Sequence, residues 1–112
     1  MNVASLASVE AFTTKDGSTI RELHHTALQS LAEAELAAGQ TTQRHYHAAT
    51  EEIYFVVAGS GEMEVDGDRR EIRVGDAVLI PPRAWHEIRA LEPLRFLCCC
   101  APPYSDEDTF FD

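Results

Sequence analysis

The sequence predicts an antiparallel all-β sandwich or barrel, and three observations carry that expectation. Turn signals recur at short intervals along the chain. The runs between them are rich in Val, Ile, Tyr, Phe and Leu. Where the pattern is clearest, apolar and polar residues alternate with the period of two that places successive side chains on opposite faces of a strand.

The turn signals come in order at Lys15-Asp16-Gly17-Ser18, Ala38-Gly39, Gly59-Ser60-Gly61, Asp66-Gly67-Asp68, Gly75-Asp76, Pro81-Pro82, Glu92-Pro93 and Pro102-Pro103. Ser30 to Leu36 is the ambiguous run. Its Ala, Leu and Glu favour helix by propensity, but its apolar residues fit neither period. It is short, ends near Gly39 and lies among strands, so it reads as a strand. Asp66-Gly67, between Glu62–Val65 and Arg69–Val74, is a strong hairpin signal, and Met63 and Val65 alternate with Glu62 and Glu64. Leu94 to Cys100 reads as the last long strand, followed by an extended exit at Pro102-Pro103-Tyr104. The acidic tail after it carries Phe110 and Phe111. Two readings stay open there: aromatics packed on the barrel or on a partner subunit, or a frayed end.

Charge narrows the partners. With 9 basic and 19 acidic residues the formal charge is −10, so nucleic acid and anionic membranes are excluded as expected partners. No apolar run approaches the ~20 residues of a membrane-spanning helix. The first residues lack the basic-then-apolar order of a signal peptide, which makes the cytoplasm the expected location. The consecutive Cys98, Cys99 and Cys100 alternate faces on a strand and cannot converge as a thiolate cluster. They read as small apolar strand residues, with Cys98 or Cys100 the candidates to face an interior.

The chemistry lies in His45-Tyr46-His47, Glu52 and His86. Two His at i and i+2 share one face of a strand. On the same alternation Thr41 and Gln43 join that face, Tyr54 joins Glu52, and Arg44, Tyr46, Glu51 and Phe55 turn the other way. Three imidazoles and a carboxylate in an apolar interior would be costly without a cation. As an N/O set lacking thiolate they suit Fe, Mn, Ni, Zn, Co or Cu, and leave coordination positions open. Thr41, Gln43 and Tyr54 are the candidate substrate-pocket residues. Of the adjacent His24 and His25 at most one faces inward. Arg83, at a proline-rich corner, is a candidate to reach the cavity mouth and bind an acidic substrate, and Trp85 points away from the metal.

Gly39-x5-His45-x-His47-x4-Glu52-x6-Gly59 resembles the first cupin motif, and Gly75-x5-Pro81-x-Arg83-x2-His86-x3-Ala90 resembles the second. Arg83 stands where the family usually has Gly, and Ala90 where it usually has Asn. The resemblance implies a cupin jelly-roll barrel (a double-stranded β-helix) with His45, His47, Glu52 and His86 on one divalent metal. It divides the chain into 1–38, strands completing the barrel; 39–101, the core with both motifs; and 102–112, a tail. Small cupins of this kind are often likened to mannose-6-phosphate isomerase or the oxalate decarboxylase class. A homodimer is implied by resemblance and by sheet edges that need covering. The functional expectation is a metal-dependent enzyme of dioxygenase, isomerase or decarboxylase type, acting on a small oxygenated or carboxylated molecule. The alternative is a non-catalytic module that binds a sugar or acid. No general acid or base is identified beside the ligands.

Overall fold

The computed structural model describes residues 1–112. Its strands are β1 (Phe12–Thr13), β2 (Thr19–His25), β3 (Ser30–Leu36), β4 (His45–His47), β5 (Glu51–Ala58), β6 (Ser60–Val65), β7 (Asp68–Arg73), β8 (Ala77–Ile80), β9 (His86–Ala90), β10 (Leu94–Ala101) and β11 (Thr109–Phe111). A single 3₁₀ turn, Asp106–Asp108, precedes the last strand. No helix is long and apolar enough to cross a membrane. The strands form a six-stranded sheet in the order β1-β2-β3-β10-β5-β8 and a five-stranded sheet in the order β11-β4-β9-β6-β7. Both are antiparallel, and together they make the jelly-roll barrel.

The expected strand at Ser30–Leu36 forms with those bounds. Tertiary pairing decides it against local propensity, since β3 is laddered on both sides, to β2 and to β10. The Asp66-Gly67 turn joins β6 to β7 with both central residues in the left-handed region, at φ 49° and 86°. That is the conformation a two-residue hairpin requires. Gly59 of the first motif has φ 78°, and a Cβ there would run into the Pro93 carbonyl oxygen, so no larger residue fits. Arg83 adopts φ 69°, a left-handed position where glycine is at ease, which accounts for the family's usual residue there.

Side-chain size along the ladders sets where the barrel is solid and where it is hollow. Phe96 pairs with Val56 and Ala34, and these pack with Leu36, Ile88 and Leu94 in the filled part of the core. Two residues along, Cys98 faces Tyr54 and Ala32; two further, Cys100 faces Glu52 and Ser30. Ala, Ser and Cys fill less of the interior than the Phe and Leu of the packed end. The space they leave is a cavity of about 50 Å³.

The tail is not frayed. β11 pairs with β4, the Asp108 carboxylate accepts from the Ala49 and Thr50 amides, and Phe110 stacks on Tyr46 at 5.2 Å between centroids.

Candidate metal centre

His45 and His47 come from β4, Glu52 from the start of β5 and His86 from the start of β9, and all four are buried. The register brings His45 directly opposite His86 across the β4–β9 pair. One ligand-capable atom from each of the three imidazoles lies within 4.8 Å of the others. Glu52 Oε1 is 3.3 Å from His47 Nε2 and 3.6 Å from His86 Nε2.

Hydrogen bonds fix which nitrogen of each ring faces the centre. His45 Nδ1 lies 2.7 Å from the Gln43 carbonyl oxygen, and His86 Nδ1 lies 2.9 Å from that of Ala84. A carbonyl can only accept, so both rings carry a proton on Nδ1 and turn Nε2 to the centre, where the neutral ring offers a lone pair. His47 Nδ1 is 3.0 Å from Thr109 Oγ1, whose own hydrogen is given to the Ser105 carbonyl at 2.8 Å. The hydroxyl therefore accepts from His47, and the third ring is set the same way. Glu52 Oε2 accepts from the Cys100 thiol at 3.2 Å.

After this, Glu52 Oε1 and His86 Nε2 remain buried without a hydrogen-bond partner. Orphaned buried polar atoms are rare and costly, and these two point at each other's neighbourhood beside two more inward lone pairs. A cation bound by Nε2 of each His and by Oε1 of Glu52 satisfies all of them, so the donor set fits a first-row divalent metal.

Burial, with His86 adding to it, lowers the His45 imidazole to about 4, so it is neutral near pH 7. Burial works to raise the Glu52 carboxyl, but His47 and His86 outweigh it and hold the group well below the usual carboxylate range. Both groups are therefore in the ligating form. Burial, reinforced by the Glu52 charge, pushes the Cys98 and Cys100 thiols up, so they stay protonated. Both line the cavity as thiols, and Cys99 faces outward.

The pocket expectations divide. Tyr54 lines the cavity, buried, its ring 6.0 Å from that of His86. Thr41 and Gln43 do not: both are exposed, and the alternation that placed them inward fails because β4 begins only at His45. The residue that turns in is Thr42, whose hydroxyl accepts from the Ile88 amide. Gln43 serves the site through its backbone, whose carbonyl orients His45. Arg83 lies outside the cavity wall, its amide bonded to the His47 carbonyl at 2.7 Å, and it offers no cation to a ligand there. Neither His24 nor His25 reaches the cavity; a bulge shifts the β2 register between Glu22 and His24. Trp85 packs outside, edge-on to Tyr46 and under the Arg44 guanidinium.

Sequence reasoning missed Thr109 as the partner of His47, and missed Thr14, Asp16 and Glu22 in the cavity wall. The signals for the turn residues were present but read as turn chemistry: Asp16-Gly17 flanked by Thr14 and Ser18 is also an ordinary turn.

A two-sheet antiparallel barrel with three inward imidazoles and a carboxylate beside a small cavity defines a cupin-type protein. Residues 32–100 match the cupin domain family Cupin_2, and the chain belongs to that family. The uncharacterized protein MJ1618 of Methanocaldococcus jannaschii is 44% identical over 108 residues, 90% of this chain and 86% of that protein. Gentisate 1,2 dioxygenase 1 of Aquipseudomonas alcaligenes is 41% identical over 64 residues, 56% of this chain but 17% of the dioxygenase. Among solved structures, KdgF from Halomonas sp. superposes with a TM-score of 0.84 at 24% identity, covering 93% of this chain and 94% of its own, a likeness of fold.

Proposed function

We propose that this cupin is a metal-dependent enzyme acting on a small oxygenated or carboxylated molecule, with His45, His47, Glu52 and His86 holding one divalent first-row metal. The observation that carries the reading is the cluster of three imidazoles with Glu52 Oε1 beside His47 Nε2 and His86 Nε2, where Glu52 Oε1 and His86 Nε2 lack any hydrogen-bond partner. The local similarity to a gentisate dioxygenase supports a dioxygenase-type or Lewis-acid chemistry over a closed structural site.

When bound, the metal would polarise a ligand oxygen or activate dioxygen. The chain supplies the rest. The Gln43 and Ala84 carbonyls and the Thr109 hydroxyl lock the imidazole tautomers, so the rings need no reorganisation. The Cys100 thiol occupies Glu52 Oε2 and keeps the carboxylate facing inward by Oε1. Tyr54, Ala32 and Cys98 wall the adjoining space with little polar surface, which restricts water around the reacting group.

Elemental mass spectrometry of the protein purified from unsupplemented cells tests this. Near-stoichiometric Fe, Mn, Ni, Co, Cu or Zn, lost in His47→Ala, is the expected result. A folded protein that neither carries nor takes up metal would sink the proposal.

A further inference from the structure

The cavity wall carries a carboxylate with no task in the reading above. Asp16, in the turn between β1 and β2, lies half-buried in the same wall as His45, His47 and Glu52. Its Oδ1 accepts three hydrogen bonds: from Thr14 Oγ1 at 2.6 Å, from the Ser18 amide at 2.9 Å and from Ser18 Oγ at 2.7 Å. Its Oδ2 accepts none from the protein. A carboxylate pinned through one oxygen has its direction fixed and its second oxygen left for solvent or a ligand.

The turn is also tied to the metal end. The Gln43 amide donates to the Asp16 carbonyl at 2.9 Å, and the Gln40 side-chain amide donates to the Gly17 carbonyl at 2.7 Å. Gln43 is the residue whose own carbonyl orients His45. One residue thus links the Asp16 turn to a ligand imidazole, so backbone holds the spacing between the two ends.

The charge of the wall is one-sided. Asp16, Glu22 and Glu52 line it, and no lysine or arginine does. Glu52 faces the imidazoles, and Glu22 lies 3.2 Å from His25 Nδ1. That leaves Asp16 as the carboxylate whose second oxygen has no donor from the protein. A second anionic group on a ligand would meet it with no cation in the wall, in a partly dry space where like charges repel strongly. A hydroxyl there would donate to a charged acceptor, which is among the stronger hydrogen bonds.

We propose that Asp16 selects the ligand: the cavity takes a small molecule with an oxygen donor for the metal end and a hydroxyl for Asp16, and it rejects one bearing a carboxylate at that second position. The proposal rests on the metal reading above. It replaces Arg83 and an acidic substrate with Asp16 and a hydroxylated one.

The test compares 4-hydroxybutyrate with succinate, which share a chain length and differ at one terminus. Their dissociation constants are measured by calorimetry on Co(II)-loaded protein, and Co(II) affinity is measured separately. Wild type is expected to bind 4-hydroxybutyrate at least about tenfold more tightly than succinate. Asp16→Asn keeps the side-chain shape and an acceptor for Thr14 and Ser18. It is expected to lose about tenfold for 4-hydroxybutyrate and most of the preference, with Co(II) affinity unchanged within about twofold. Equal binding of the two by wild type, binding of neither, or an Asn variant that keeps the preference overturns the assignment while the metal reading stands. Wild type that fails to bind Co(II) overturns both. The wild-type comparison is decisive even if the variant fails to fold.

Discussion

At the buried end of the cavity, four side chains from three strands converge, and Nδ1 of every imidazole and Oε2 of Glu52 are already hydrogen-bonded elsewhere. Elsewhere in the wall the half-buried Asp16 carboxylate stands on a turn, held by the hydroxyls and amide of its immediate neighbours. The first is long-range architecture, because each ligand depends on a residue from another part of the chain or on a strand start. The second is local, built within five residues and then attached to the barrel by two hydrogen bonds. The contrast teaches that the two ends are separable: damage at the buried end should remove the metal, while damage at the Asp16 turn should alter what is bound and leave the metal in place.

The sharpest break is His86→Ala. It removes one Nε2 and leaves Glu52 Oε1 facing a void, and purified protein is expected to contain no stoichiometric metal by elemental analysis. Metal retained at wild-type level would mean the convergence is incidental.

Acid separates the ends next. His45 titrates at about 4 in the folded chain because burial lowers it from 6.5, so between these values the unfolded chain binds a proton that the folded one does not. Stability of the metal-free protein should therefore fall as pH drops from 6.5 towards 4, by about 3 kcal/mol from this group. Urea titrations at stepped pH measure it; a flat profile would show that His45 is not held neutral. Saturating metal should raise the whole profile by binding only the folded state and steepen its fall with acid, because ligation keeps the imidazoles unprotonated while the unfolded chain takes up protons.

Ala32→Leu fills the middle of the cavity, between Cys98 and Glu22 on the adjoining strands. Ligand binding should vanish while metal content persists, with about 1–3 kcal/mol of destabilisation from overpacking. Thr109→Val removes the acceptor of His47 Nδ1–H and is expected to weaken metal binding about 10- to 100-fold in a chelator competition. Ser18→Ala is the mildest change. It takes one of three bonds from Asp16 Oδ1 and should shift ligand affinity by only a few-fold, with metal affinity untouched.

How legible each end was follows from the same contrast. The ligands could be read from sequence because i, i+2 spacing on a strand and the motif intervals survive whatever the rest of the barrel does. The Ser30–Leu36 strand could be read from its surroundings in spite of its propensity. Thr41 and Gln43 were misplaced because alternation was carried back beyond the first residue of β4, where the chain is no longer a strand. Asp16 was hidden because turn residues are chosen for backbone reasons, and the turn is tied to the barrel by Gln43 and Gln40, more than twenty residues away. Thr109 lies 62 residues from His47, and no local pattern announces so distant a hydrogen bond.

That distance has a bearing on when the site can come into being. During synthesis the chain emerges from the ribosome in order, so His45, His47, Glu52 and His86 are all outside before the segment carrying Ser105 and Thr109 is available. Until β11 docks on β4, the His47 ring has neither its tautomer nor its angle imposed. Ordered ligation thus waits for the segment that carries Ser105 and Thr109, and an ion captured earlier meets a looser, less discriminating set of donors.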